Sequence, residues 1–330
     1  MKNSPVFLLT MGDPAGIGPE IALKALSESD YFDKFRVVIV GDLSVLQYTA
    51  KKLNQNCRFN EITEPCEAVK DRINVISLNV TAPHLYTPGK PQAICGKAAF
   101  SYIRKAIQLT IEKKACGVIT NPISKESLKL AEIPFPGHTE IFAHYTSTTN
   151  YSMVFLLHDV AVAHVTTHCS LREAIEQINE ERVLKQIRLL NKTLKQLGNK
   201  EPLIAVSGLN PHAGENGLFG REEIETINPA IKRGREENIM VTGPYPPDTV
   251  FMRAFRGEFN GVVSMLHDHG FVALKSMDFY RGVNITVGLP IIRTSVGHGT
   301  AFDLALKGIA SQQSLISAIE TAWKLFHSRS

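Results

Sequence analysis

Short β-branched or aliphatic runs alternate along this chain with longer segments in which apolar residues return every three or four positions. No other feature constrains the fold as much. The runs are Val6–Thr10, Val37–Val40, Val75–Leu78, Gly117–Thr120, Met153–Leu157, Ala161–Thr166, Leu203–Ser207 and Gly261–Met265. Between them lie helical patterns over Pro19–Leu26, Lys97–Glu112, Leu171–Leu197 and Arg221–Glu237. Strands alternating with helices predict an α/β fold with a mainly parallel sheet covered on both faces. The ligands of such a sheet gather in loops at the carboxyl ends of its strands.

Composition narrows the function. The 330 residues carry 36 Lys and Arg against 32 Asp and Glu, a formal charge of +4. The basic residues are scattered, so the electrostatic footprint of a nucleic-acid binder is missing. The longest apolar runs are strand-length, well short of the roughly 20 residues that span a bilayer. No apolar stretch near the N-terminus leads into a small-residue cleavage site, so the cytoplasm is the expected location. The five cysteines (57, 66, 95, 116 and 169) include no C-x-x-C pair and read as reduced thiols. A small-molecule partner is expected.

The first strand runs into Met-Gly-Asp-Pro-Ala-Gly-Ile-Gly-Pro-Glu, residues 11–20. Its glycines permit tight turns and Pro19 suits the first turn of a helix. The dinucleotide fingerprint Gly-x-Gly-x-x-Gly fails, because Ile21 stands where its third glycine belongs, and no P-loop occurs. A structural turn and an anion-holding helix start are both compatible with these residues.

Three histidines follow apolar runs. His168 comes after the run ending at Thr166, His212 after Leu203–Ser207, and His267 after Gly261–Met265. Imidazoles converging from strand ends suit a divalent metal with a position open to substrate oxygen. His164 and His168 would lie about 13 Å apart on a strand, which excludes shared ligation and leaves His164 structural. Asp159 or Asp268 could orient a ligand from behind. His138, in Phe-Pro-Gly-His-Thr-Glu, reads equally as a turn residue and as a substrate contact. Lys275, Asn284 and Arg293 combine two cations with an amide donor, the chemistry that a phosphate or carboxylate needs. Solvated surface charge is the plainer reading of the set. Arg293, however, follows the apolar Leu289–Ile292 and should sit at the end of a buried segment.

Taken in order, several motifs point further: Met11–Glu20, Pro-Gly-His-Thr-Glu (136–140), Thr-Thr-His (166–168), Asn-Pro-His-Ala-Gly-Glu (210–215), Pro-Pro-Asp-Thr (246–249), His-Asp (267–268), Arg-Gly-Val-Asn-Ile-Thr (281–286) and Gly-Leu-Pro-Ile-Ile-Arg-Thr-Ser (288–295). The ordered set resembles the 4-hydroxythreonine-4-phosphate dehydrogenase family of pyridoxal phosphate biosynthesis over most of the chain. The resemblance implies metal ligands at His168, His212 and His267, and substrate contacts at His138, Thr139, Lys275, Asn284 and Arg293. It also implies a homodimer whose active site takes residues from both subunits. Lys275 is a candidate for proton transfer, with Asp248 and Asp268 behind the ligands. Gly-His-Gly-Thr-Ala-Phe-Asp-Leu-Ala (297–305) looks like the cofactor loop of isocitrate and isopropylmalate dehydrogenases. That likeness places NAD or NADP at Gly297, His298, Gly299, Thr300 and Asp303.

One position departs from the family pattern: His269 stands where His-Asp-Gln-Gly is expected, and an extended backbone would project it beside His267. Gly-Glu-Asn-Gly-Leu-Phe-Gly (214–220) and Pro-Pro-Asp-Thr-Val-Phe (246–251) look like the paralogues that oxidise phosphorylated threonate or erythronate.

The expected fold is therefore a three-layer α/β/α, isocitrate/isopropylmalate dehydrogenase-like architecture with two domains and an active-site cleft. Residues 1–130 with 290–330 would form one domain, and 131–289 a second carrying metal and dimer residues. The leading activity is NAD(P)-dependent oxidation of 4-phosphooxy-L-threonine at C3, assisted by one divalent ion (Zn, Mg or Co). Decarboxylation to 3-amino-2-oxopropyl phosphate would follow, in pyridoxine 5'-phosphate biosynthesis. The alternatives are the same chemistry on 4-phospho-D-threonate or 4-phospho-D-erythronate, and a non-redox metallohydrolase of a phosphorylated small molecule.

Overall fold

The computed structural model describes residues 4–27, 34–278 and 280–328. They divide into two units: one holds the chain up to Tyr151 together with Leu289–Phe326, the other Ser152–Gly288 and the residues from His327. Up to Tyr151 the elements are β1 (Val6–Thr10), α1 (Gly18–Ser27), β2 (Arg36–Gly41), α2 (Leu43–Lys52), β3 (Phe59–Glu61), β4 (Ile73–Ser77), α3 (Ala93–Ile111), β5 (Gly117–Thr120), α4 (Lys125–Leu130) and α5 (His138–Tyr145). The second unit adds β6 (Ser152–Leu157), β7 (Val160–His164), α6 (Leu171–Gln177), α7 (Glu180–Gln196), β8 (Ile204–Ser207), α8 (Asn228–Glu236), β9 (Val241–Tyr245), α9 (Val250–Phe255), β10 (Gly261–Ser264), α10 (His267–Met277) and β11 (Val283–Val287). The chain then returns with β12 (Ile292–Val296) and α11 (Gln313–His327).

In the first unit the strand order is β3-β4-β2-β1-β5-β12, and every pair is parallel. Strands buried on both faces should read as unbroken apolar runs, and Val-Phe-Leu-Leu of β1 does so. α3 covers this sheet with Cys95, Ala98, Ala99, Tyr102, Ile103 and Ala106, a stripe at helical spacing. The segment 131–151, expected in the second domain, belongs to the first unit. Phe135 and Tyr145 pack on Phe100 of α3 at 6.0 and 6.1 Å between ring centroids, and Arg104 lies over both Phe100 and Tyr145. Those contacts move the boundary to Tyr151.

In the second unit the order is β11-β6-β7-β10-β8-β9. β6 is antiparallel to both neighbours, being joined to β7 by the tight turn at His158 and Asp159; the remaining pairs are parallel. Its core is built from Phe155, Val162, Val250, Phe251, Val262, Phe271 and Leu274. The helix expected over Leu171–Leu197 is two helices, because Ile178 is extended and Asn179 starts α7 by accepting from the Arg182 N–H at 3.0 Å. The helix expected from Arg221 opens with a single π turn, Glu223–Ile227. Among the described residues no helix is long and apolar enough to cross a membrane.

Candidate active site

β7, β10 and β8 are parallel neighbours, so the segments after their carboxyl ends leave from one edge of the sheet. His168, His267 and His212 lie on those three segments. Two of them meet: the His168 and His267 rings are 5.8 Å apart between centroids. A cavity of about 250 Å³ is lined by both, with Thr166, Cys169, Leu266 and Asp268 among its other walls. The exposed Asp268 carboxylate lies 2.7 Å from His267 Nδ1. That contact orients the ring and occupies Nδ1, leaving Nε2 as the nitrogen with which the ring would ligate.

His267 is also the first residue of a helical stripe. Phe271 lies 4.5 Å from it, and Lys275 Nζ sits 5.5 Å over the Phe271 ring, so positions 267, 271 and 275 occupy one face of α10. Asn284 reaches the same face from the sheet, since it pairs across β11 and β6 with Phe155, whose ring packs on Phe271 at 5.1 Å. The exposed Lys275 and half-buried Asn284 thus share a neighbourhood with the histidine pair.

His164 ends β7 as a structural residue. It is buried, stacked on Phe271 at 4.6 Å, and neither ring nitrogen has a hydrogen-bond partner. Burial, with the nearby His267 charge, pushes its pKa down to about 3. His269 does not project beside His267. The backbone is helical from His267 onward, which turns position 269 about 200° away. Asp248 is exposed in the turn before α9, and Asp159 stands at the end of β7 remote from His164. Of the three acids, Asp268 alone touches a histidine of the set.

His212 does not join the pair. It lies on a loop whose residues 212–216 all take left-handed backbone angles, and its ring neighbour is Phe219, at 6.4 Å. Among the described residues no three His, Cys, Asp or Glu side chains are gathered closely enough to hold one ion. The donor chemistry of His168 and His267 fits a divalent metal at two positions, and a third donor has to come from elsewhere.

In the first unit, Arg293 is the second residue of β12 rather than the end of a buried run. It is 3% exposed, donates through Nη2 to Thr120 Oγ1 at 2.8 Å and lies 5.5 Å over the Phe142 ring. Burial pushes its pKa down to about 9, against the pull of Glu140. His138 and Thr139 open α5, whose later residue Phe142 supplies that ring. His138 keeps some exposed surface, but its Nε2 is buried without a partner, and burial together with the Arg293 charge holds the imidazole well below its ordinary pKa. A cation and a neutral imidazole with an unused nitrogen are therefore set side by side.

The loop after β12 rests on the glycine-rich turn after β1. Ile17 N donates to Thr300 O at 3.0 Å, and a Cβ at Gly16 or Gly89 would lie 2.9 Å from the carbonyl oxygens of Thr300 or Phe302. The Met11–Glu20 turn thus has a scaffold role that spacing alone does not reveal: its Gly16 lets the loop after β12 approach the backbone. Gly297 N is held by Ser314 Oγ at 2.9 Å, and Asp303 is exposed. His298 Nε2 is buried without a partner, while Gly299 borders open space. An unused ring nitrogen beside an open backbone fits a polar cofactor.

Residues 33–322 match the family Pyridoxal phosphate biosynthetic protein PdxA. The chain belongs to the PdxA family. A relative from Halalkalibacterium halodurans, named "Putative D-threonate 4-phosphate dehydrogenase", is 44% identical over 98% of both chains. A crystal structure of 4-hydroxythreonine-4-phosphate dehydrogenase from Klebsiella pneumoniae is 44% identical, with a TM-score of 0.88 over 98% of this chain and 100% of that one. A beta-decarboxylating dehydrogenase from Thermococcus kodakarensis, 12% identical at a TM-score of 0.50 over 96% and 82% of the two chains, shares the fold alone. This PdxA chain is accordingly a mixed α/β dehydrogenase of a phosphorylated hydroxy acid, and its family implies a nicotinamide cofactor. The metallohydrolase reading is set aside.

Proposed function

We propose that the chain oxidises D-threonate 4-phosphate at C3 with NAD or NADP, and that the resulting β-keto acid loses its carboxylate as carbon dioxide. The His168 and His267 pair beside its cavity carries this reading, because such a pair suits a metal-assisted oxidation of a secondary alcohol. The choice of acid is supported by full-length relatives named for D-threonate 4-phosphate, at 44% and 45% identity, and by residues 214–220 and 246–251. 4-Phosphooxy-L-threonine, which places an ammonium at C2 and leads towards pyridoxine 5'-phosphate, is the competing substrate.

In this proposal His168 and His267 hold the ion, and His212 of a second copy completes the set. Among the described residues no third donor is gathered with the pair, so this reading takes the third from a second copy, in a homodimer. When bound, the ion supplies Lewis acidity at the reacting hydroxyl and the nicotinamide supplies the hydride acceptor. Asp268 keeps His267 in the tautomer whose Nε2 is free to ligate. Arg293, with His138 and Thr139, binds the phosphate; a neutral His138 adds no second positive charge beside Arg293 and offers a ring N–H. Lys275 and Asn284 position the four-carbon chain, and Lys275 Nζ exchanges the hydroxyl proton. Gly297–Thr300 and Asp303 hold the dinucleotide.

Incubating the protein with NAD or NADP, a divalent metal and each of D-threonate, D-erythronate and 4-hydroxythreonine phosphates should reduce nicotinamide fastest with D-threonate 4-phosphate. No reduction with any of the three would overturn the proposal, and a preference for 4-hydroxythreonine phosphate would move the enzyme to the pyridoxine route. Mixing inactive His168→Ala and His212→Ala proteins tests the shared site. A site drawing His212 from the second copy regenerates one intact centre in each mixed dimer, about a quarter of parental activity in a random mixture. A site built within one chain regenerates none.

A further inference from the structure

The loop that carries His212 is rooted on a buried carboxylate. Glu223, the first residue of the π turn, is 2% exposed. Its Oε1 accepts from the backbone N–H groups of Leu209 and Asn210, each at 2.8 Å, and its Oε2 accepts from Asn210 Nδ2 at 2.9 Å. The same amide donates to Glu222 Oε2 at 2.7 Å. Three glycines make the room. A Cβ at Gly208 or Gly214 would stand 3.1 or 2.6 Å from a Glu223 oxygen, and one at Gly220 would stand 2.5 Å from Asn210 Nδ2.

Beyond this root, His212, Ala213, Gly214, Glu215 and Asn216 have φ of 53, 54, 79, 42 and 55°. Four of the five are not glycine, and Ala213 and Glu215 in particular disfavour the left-handed region, so an unbroken run of five lasts only if its surroundings hold it. The clamp does that where the chain leaves β8, two residues before His212. A π turn that begins on the clamping residue is itself an irregularity often kept for function.

We infer that Glu223 is a positioning residue: its carboxylate fixes the direction in which His212 is presented and thereby sets metal affinity without touching the metal. This rests on the proposal that His212 is a ligand. A glutamine at 223 keeps the volume but turns one acceptor into an N–H donor facing donors, so the root would loosen while the core around it is kept.

Zn affinity measured by competition with a chelating dye, with oligomeric state and melting temperature followed in parallel, tests the inference. Glu223→Gln is expected to weaken binding roughly 10- to 100-fold, the usual effect of removing a partner behind a ligand. In a His212→Ala background the same change should do nothing further, because the ligand it positions is gone. Equal weakening in both backgrounds would make Glu223 merely structural and overturn the inference. Parental affinity in Glu223→Gln, with affinity lost in His212→Ala, would overturn the clamp and leave the ligand assignment standing. Parental affinity in His212→Ala would overturn both. Should Glu223→Gln fail to fold, Asn210→Ala removes the side-chain amide but leaves two N–H donors on the carboxylate, and the same comparisons apply.

Discussion

A guanidinium inside a parallel strand is costly, and Arg293 shows how that cost is distributed. Burial works against its charge, and the Phe142 face and Thr120 hydroxyl offset part of that loss. Replacing Arg293 by Met keeps much of the volume and removes the charge. The expected outcome is a melting temperature equal to or above the parent's, with the KM for phosphorylated substrate raised roughly 10- to 100-fold through loss of charged hydrogen bonds. An unchanged KM would remove Arg293 from the anion site. Arg293 was legible as an arginine attached to an apolar run, whereas its strand-interior position was not, because Arg293, Thr294 and Ser295 interrupt the apolar run expected of a strand buried on both faces. His269 shows the converse error: the ring is as expected, but helical rather than extended backbone turns it elsewhere.

At the scale of elements, α10 carries most of the proposed chemistry. The i, i+4, i+8 spacing of His267, Phe271 and Lys275 was readable in the sequence, but a helix starting directly on His-Asp-His-Gly was not, since glycine in the first turn weakens the pattern. The structure gives the reason for that glycine: a Cβ at Gly270 would lie 2.2 Å from His164 Nε2. Gly270→Ala should therefore cost about 1–3 kcal/mol by overpacking, and should also weaken metal binding by displacing His267. Removing the α7 cap with Asn179→Ala should cost about 1 kcal/mol and leave metal affinity unchanged. Urea unfolding and chelator competition on the two variants separate these effects. If both changed metal affinity equally, general loosening rather than the α10 stripe would be responsible.

Across the whole molecule the histidines make stability depend on pH. Burial holds His138, His164, His269 and His298 below their ordinary value of 6.5. In the unfolded chain these rings take up protons near 6.5, whereas native His164 does so only near 3, so the unfolded state binds more protons between those values. Stability from His164 is present in full above 6.5 and is lost as the pH falls, at up to about 1.4 kcal/mol per pH unit. Urea unfolding at pH 7.5 and 5.5 should show the decline, and His164→Gln should make it shallower; an identical slope would exclude His164 as a source. The discontinuous first unit could be anticipated from the resemblance. The allegiance of 131–151 could not, because it depends on rings separated in sequence, Phe100 from Phe135 and Tyr145, and no local periodicity records their meeting.

Arg293 and Thr120, hydrogen-bonded across neighbouring strands, are 173 positions apart in sequence. During synthesis β5 must wait at the margin of its sheet, its outer row of backbone donors and acceptors unclaimed, until residues 121–291 have been made. Arg293, proposed above to bind the phosphate, lies on that last strand, and the 297–303 loop follows it. A ribosome that stalls before β12 releases a chain that lacks Arg293 and the 297–303 loop and presents an unpaired strand edge to its neighbours. Completion of the first sheet and delivery of Arg293 to its place beside Thr120 are thus a single late event.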